Sequence, residues 1–113
     1  MKEGDVILTP MPQADGKVKN RPAIFLREMP PFRDALVCGV STQTHQLEPD
    51  FDELIISKDS DFAASGLVSD SLIRLGFLAV LPRRNIIGSI GSISPERHRR
   101  LLHRLSEYLI KTS

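Results

Sequence analysis

The chain has 113 residues, 41% hydrophobic and 26% charged, with 15 basic side chains against 14 acidic ones. That is the balance of one globular domain over 1–113, and its near-neutral total does not announce a nucleic-acid partner. Charges or Pro, Gly and Ser interrupt every apolar run before the ~18 residues of a membrane span, and Glu3 and Asp5 stand where a secretory signal needs an apolar core, so a cytoplasmic protein with no membrane partner is expected.

Short runs rich in Val, Ile, Leu and Phe recur between turn residues, and only the C-terminal stretch has a helical period. The first strand is predicted over 5–9. The Pro, Gly and polar residues of 10–20 then read as an exposed, mobile loop. Further strands are predicted over 22–27, 35–41, 53–57, 71–75, 77–81 and 86–93, with irregular stretches at 28–33 and 44–49. Gly88 and Gly91 in the last strand suit a bulge, a barrel corner or close backbone contact.

Ser94-Pro95-Glu96 is a helix start: a hydroxyl cap, a proline where its missing N–H costs nothing, and a carboxylate near the positive end of the dipole. The helix runs to about Ile110, with Leu101, Leu102, Leu105 and Leu109 on one face and Arg97, Arg100 and Arg104 on another. Three Arg in the first turns oppose the dipole, by a few tenths of a kcal/mol each. Either solvent screens them or an anionic partner rewards them. Residues 48–70 carry seven acids against Lys58, and 83–104 carry six Arg against Glu96, so the charges either mix in three dimensions or build one basic face. Together these elements describe a mainly β chain: a small, strongly curved antiparallel sheet or partly closed barrel covered by one helix, with any activity on loops and strand ends.

Phosphate-loop, dinucleotide, zinc-helix and nucleophile-elbow motifs are absent, so no cofactor is expected. One cysteine and three histidines exclude a disulfide and an all-cysteine zinc site and disfavour any metal. His98 and His103, five apart, do not share a helix face, and Cys38 reads as a buried, inert thiol. His45 is either an acid or base or a plain surface histidine. Arg21 stands at a strand entrance held extended by Pro22, either to fork a phosphate or to close a salt bridge. Ser41, Thr42, Gln43 and Thr44 end the third strand, where they either bond phosphate and base edges or close the strand. If the second and third strands are antiparallel neighbours, Arg21 and Ser41 reach the same sheet edge, and a phosphate site becomes possible.

In order along the chain, Gly4-Asp5-Val6, the loop Asp15 to Asn20, Arg21-Pro22, Ser41 to Gln43, Asp70-Ser71 and Ile90 to Pro95 resemble the PemK/MazF toxin family. The resemblance implies an SH3-like barrel of the CcdB/PemK type, with about six to seven strands and a C-terminal helix. It also implies a homodimer, an antitoxin partner, and metal-independent cleavage of single-stranded messenger RNA by its own 2′-hydroxyl. By position, Arg21 becomes the acid or charge stabiliser and Ser41 its helper, with Thr42 in its place one residue on. Lys17, Lys19, Gln43, Thr44, His45 and Arg74 become RNA contacts, Arg74 standing in for a polar segment that is apolar here from Leu75 to Pro82. The competing expectation is a non-catalytic module on the same barrel, either a gyrase poison of the CcdB type acting through its helix end or a decayed toxin that only binds partners.

Overall fold

In a computed structural model, which describes residues 1–12 and 14–112, six strands form one sheet in the order β4-β5-β3-β2-β1-β6. The elements are β1 (Asp5–Pro12), β2 (Val18–Met29), β3 (Asp34–Ser41), β4 (Glu53–Ile55), α1 (Phe62–Ser65), β5 (Ser71–Leu81), β6 (Gly88–Ser92) and α2 (Pro95–Ile110). Every pairing is antiparallel, and the sheet curls into half a barrel, the mainly β fold that the sequence predicts.

Successive side chains on a strand point to opposite faces. That alternation sends Val6, Ile24, Leu26, Cys38 and Val40 to one side, where Leu101 and Leu105 of α2 join them. Ile7, Ala23, Phe25 and Val37 go to the other side and form a second cluster with Met11 and Ile86. Because both faces are buried, a run such as Ala-Ile-Phe-Leu at 23–26 needs no polar alternation. Burying Leu101 and Leu105 stabilises by roughly 1.5–3 kcal/mol each, which outweighs the small dipole cost of the arginines beside them. The Ser94 hydroxyl caps α2, accepting from the Arg97 amide at 3.1 Å. Leu109 departs from its predicted face and is exposed, as are its neighbours Tyr108 and Ile110 in the last turn of α2.

Three further departures have local causes. First, the 10–20 stretch is largely strand, with β1 and β2 paired as far as Pro12↔Val18; only a short turn separates them, and Gln13 lies outside the described residues. Pro10 is tolerated because β6 pairs with β1 only over Asp5–Leu8, so its missing N–H leaves no ladder bond unmade. Second, the two strands predicted over 71–75 and 77–81 are one strand interrupted by a bulge: Gly39 pairs with Arg74 and Cys38 with Leu78, leaving Leu75, Gly76 and Phe77 between them. Third, the short helix α1 carried no predicted element. It ends at Gly66 in the left-handed conformation (φ 76°), where a Cβ would lie 2.1 Å from the Ile90 carbonyl oxygen. A Cβ on Gly91 would lie 2.2 Å from the Ala64 oxygen, so α1 rests backbone to backbone on β6. This is the close contact that Gly91 suggests in the sequence.

Candidate functional site

Pro22 has no N–H to give, and the β2–β3 ladder ends beside it at Ala23↔Gly39. Two more steps of that register set Arg21 across from Ser41, on the face that carries Ala23, Phe25 and Val37. On the far side of β3, Arg74 pairs with Gly39 on the same face, its neighbours Ile73 and Leu75 having gone to the other core. Arg21, Ser41, Arg74, Met11, Gly39 and Phe77 accordingly line one cavity of about 170 Å³ at the tip of β3. Two guanidinium groups and a hydroxyl around a space of that size suit one phosphate group with part of its nucleoside. The Ser41 Oγ accepts a hydrogen bond from the Gln43 amide at 3.0 Å, which fixes the oxygen while leaving its own proton to donate.

The bulge that presents Arg74 and Phe77 is itself supported. The Leu75 amide donates to Asp52 Oδ1 at 3.1 Å, and the other oxygen of Asp52 accepts from the Glu48 amide at 3.1 Å. Asp52 is buried, so one carboxylate meets two backbone donors that the irregular chain would otherwise strand. Nothing in the sequence marks Asp52 for this; it is one acid in a run of seven.

The remaining predicted residues are distributed around this pocket. Thr42 lines a neighbouring open groove with Thr44, Ser57 and Asp70, so the two alcohols at the end of β3 face different spaces. Gln43 and His45 are exposed, His45 on a single 3₁₀ turn with Thr44. Lys17 and Lys19 are exposed at the far end of the β1–β2 hairpin, where Lys19 pairs with Met11. Arg74 makes no ion pair among the described residues, unlike Arg97, Arg100 and Arg104 of α2.

Those α2 arginines decide the question of the charge runs. Arg97 is 5% exposed and donates to Asp61 (2.8 Å), Glu53 (2.8 Å) and Asp59 (3.0 Å). Arg100 forks Glu53 at 3.0 and 3.1 Å, and Arg104 donates to the Asp52 carbonyl at 3.0 Å. The acidic and basic segments mix, and the anionic partner of the helix start lies within the chain. Burial alone would raise the Asp61 carboxyl, but hydrogen bonds from Arg97 and the Ser94 amide, with the Arg97 charge, hold it below the ordinary value. Burial pushes the Cys38 thiol up to about 12, as an inert core residue requires. The His98 Nε2 lies 2.7 Å from the Leu26 carbonyl oxygen, a structural contact. Among the described residues no group of three or more His, Cys, Asp or Glu is placed to hold a metal ion, and no helix is long and apolar enough to cross a membrane.

A curled half-barrel of six antiparallel strands with a C-terminal helix is the architecture of a known toxin fold. The structure is similar to the Mycobacterium tuberculosis toxin MazF-mt6, with a TM-score of 0.67 over 96% of this chain and 99% of that one; at 18% identity the likeness shows the fold. The family model described as PemK-like, MazF-like toxin of type II toxin-antitoxin system matches residues 2–109. The chain belongs to that family. No curated protein sequence matches it.

Proposed function

We propose that this toxin is an endoribonuclease that cuts single-stranded messenger RNA in the cytoplasm without metal or cofactor, and that the pocket of Arg21, Ser41 and Arg74 is its centre. The observation that carries this reading is the convergence of two guanidinium groups and one oriented hydroxyl on a single cavity of about 170 Å³. The 2′-oxygen of the substrate attacks the adjacent phosphorus and loses its proton to solvent. The bond to the 5′-oxygen breaks, that oxygen takes up a proton, and a cyclic phosphate and a 5′-hydroxyl remain. Such a reaction asks the protein for orientation and for neutralisation of the charge that develops on the phosphorus centre. Arg21 supplies the fork or the proton, Ser41 one donated hydrogen bond, and Arg74 a second charge. Thr42, Thr44, Gln43 and His45 hold flanking nucleotides along the adjoining groove, and Lys17 and Lys19 contact backbone phosphates from the hairpin. The decisive substrate is an RNA carrying a single 2′-deoxynucleotide at the cut: cleavage there stops if the reading is right and continues if water is the nucleophile.

The active species is a homodimer, silenced by an antitoxin that covers the groove. Past Ile73, β5 has no strand partner on its outer edge among the described residues, and Leu78 and Val80 there are 41% and 53% exposed. They face a second copy of this chain together with the exposed end of α2, Tyr108 to Ile110. Sedimentation is expected to give a dimer for the wild type and a monomer for Leu78→Glu; a wild-type monomer removes the dimer from the account. The exposed end of α2 is also what favours the second reading, a gyrase poison or binding-only module. Growth arrest on expression with RNA left intact in EDTA selects that reading.

A further inference from the structure

Of the apolar side chains that line the cavity, Met11 and Val40 are buried and Phe77 is an exposed ring. Phe77 is 41% exposed although Ala79 and Leu81, on the same face of β5, are packed against the second core cluster. The bulge releases it: with Leu75 held by Asp52, Gly76 and Phe77 stand away from the β3 ladder and the ring turns into the cavity that Arg21, Ser41 and Arg74 also line. The ring sits over Gly39, where a Cβ would lie 3.0 Å from its Cδ1, so the strand opposite has no side chain in the space the ring occupies. A flat apolar surface left uncovered beside two guanidinium groups is suited to a ligand that is aromatic at one end and anionic at the other.

We propose that Phe77 is the platform on which a nucleobase next to the cleaved phosphate stacks, and that it selects the nucleotide entering the pocket by stacking area, favouring purines over pyrimidines. Stacking is tolerant of base identity because every base has a π-face, so this contact sets a preference rather than a strict code. The identity of the ligand as RNA rests on the ribonuclease reading; nucleotide stacking on Phe77 does not need cleavage to be seen.

The chain contains no Trp, so Phe77→Trp makes the pocket's ring the sole indole. Titration of this variant with a 2′-fluoro RNA oligonucleotide, which cannot be cut, is expected to quench its fluorescence saturably by roughly twofold or more, and purine nucleoside monophosphates are expected to quench at lower concentration than pyrimidine ones. Phe77→Leu should raise KM about tenfold while kcat stays within about twofold and the unfolding midpoint barely moves. Cleavage by the wild type with no quenching in Phe77→Trp, or a Phe77→Leu that loses stability with KM unchanged, overturns the proposal and leaves the ribonuclease standing. Quenching by nucleotides in a protein that cuts no RNA removes the ribonuclease and leaves the platform.

Discussion

Thr9 lies opposite Arg21 in the β1–β2 register, 1% exposed, and its Oγ1 is a buried side-chain oxygen without a hydrogen-bond partner among the described residues. An unmet buried hydroxyl costs on the order of 1–3 kcal/mol, so the near-isosteric Thr9→Val is expected to stabilise by about 1 kcal/mol in urea unfolding; a destabilised variant would show that the hydroxyl is satisfied. Asp52 is the opposite case, a buried carboxylate with two amide donors. Asp52→Ala should cost about 2–3 kcal/mol and also slow RNA cleavage, because Arg74 and Phe77 follow the bulge it holds; cleavage at the wild-type rate would free the bulge from any positioning role. At this scale the sequence was legible where backbone chemistry speaks directly. Arg21 reads as a candidate because proline follows it, and Ser41 because it ends a strand. Phe77 and Asp52 were not legible, since their roles depend on a three-residue bulge that only pairing with β3 defines.

The elements follow from local signals to different degrees. Helix α2 was predicted almost to its ends because cap, N1 proline and leucine spacing agree, and Ser94→Ala should cost about 1 kcal/mol in unfolding free energy through the lost bond to the Arg97 amide. Strand β5 was predicted as two strands because Gly76 interrupts the apolar run, and that interruption is the bulge itself. Hairpin lengthening in β1 and β2 escaped prediction because polar residues can pair through the backbone alone and Pro10 falls where its missing N–H faces no strand. Four-residue α1 carries too little periodicity to be recognised, and its partner glycines lie on a distant strand. Gly91→Ala should therefore be among the most damaging small substitutions in the chain: its Cβ meets carbonyl oxygen and backbone rather than a movable side chain, so soluble expression or the unfolding midpoint should fall sharply. A normal midpoint would mean that α1 can lift from β6 at little cost.

Across the whole molecule, charge is organised by the fold. The acidic 48–70 segment and Arg97, Arg100 and Arg104 of α2 neutralise one another in a partly buried network, while Arg21 and Arg74 line the pocket at the tip of β3. Removing Arg97 takes the arginine partner from Asp61, whose side chain is only 8% exposed, and one of three arginines from Glu53, so Arg97→Met is expected to cost about 3–5 kcal/mol, a large share of the stability of a domain this size. The Asp61 carboxyl is held below its ordinary 3.8 in the folded state, so its contribution is complete above that value and is lost as pH falls through the lower folded value. Urea midpoints measured from pH 5 down to pH 2 should fall for the wild type and fall less steeply for Asp61→Asn; parallel curves would place the acid sensitivity elsewhere. The sequence alone could count these charges but not pair them, because the partners lie more than thirty residues apart.

The most direct test of the central claim is the single-turnover cleavage rate of single-stranded RNA in EDTA, measured for the wild type, Arg21→Ala and Ser41→Ala after matched unfolding curves show all three folded. The account predicts cleavage by the wild type, a loss of roughly 100-fold or more for Arg21→Ala and a smaller loss for Ser41→Ala, since a guanidinium offers two charged hydrogen bonds where the hydroxyl offers one. Equal rates for the wild type and Arg21→Ala would contradict it.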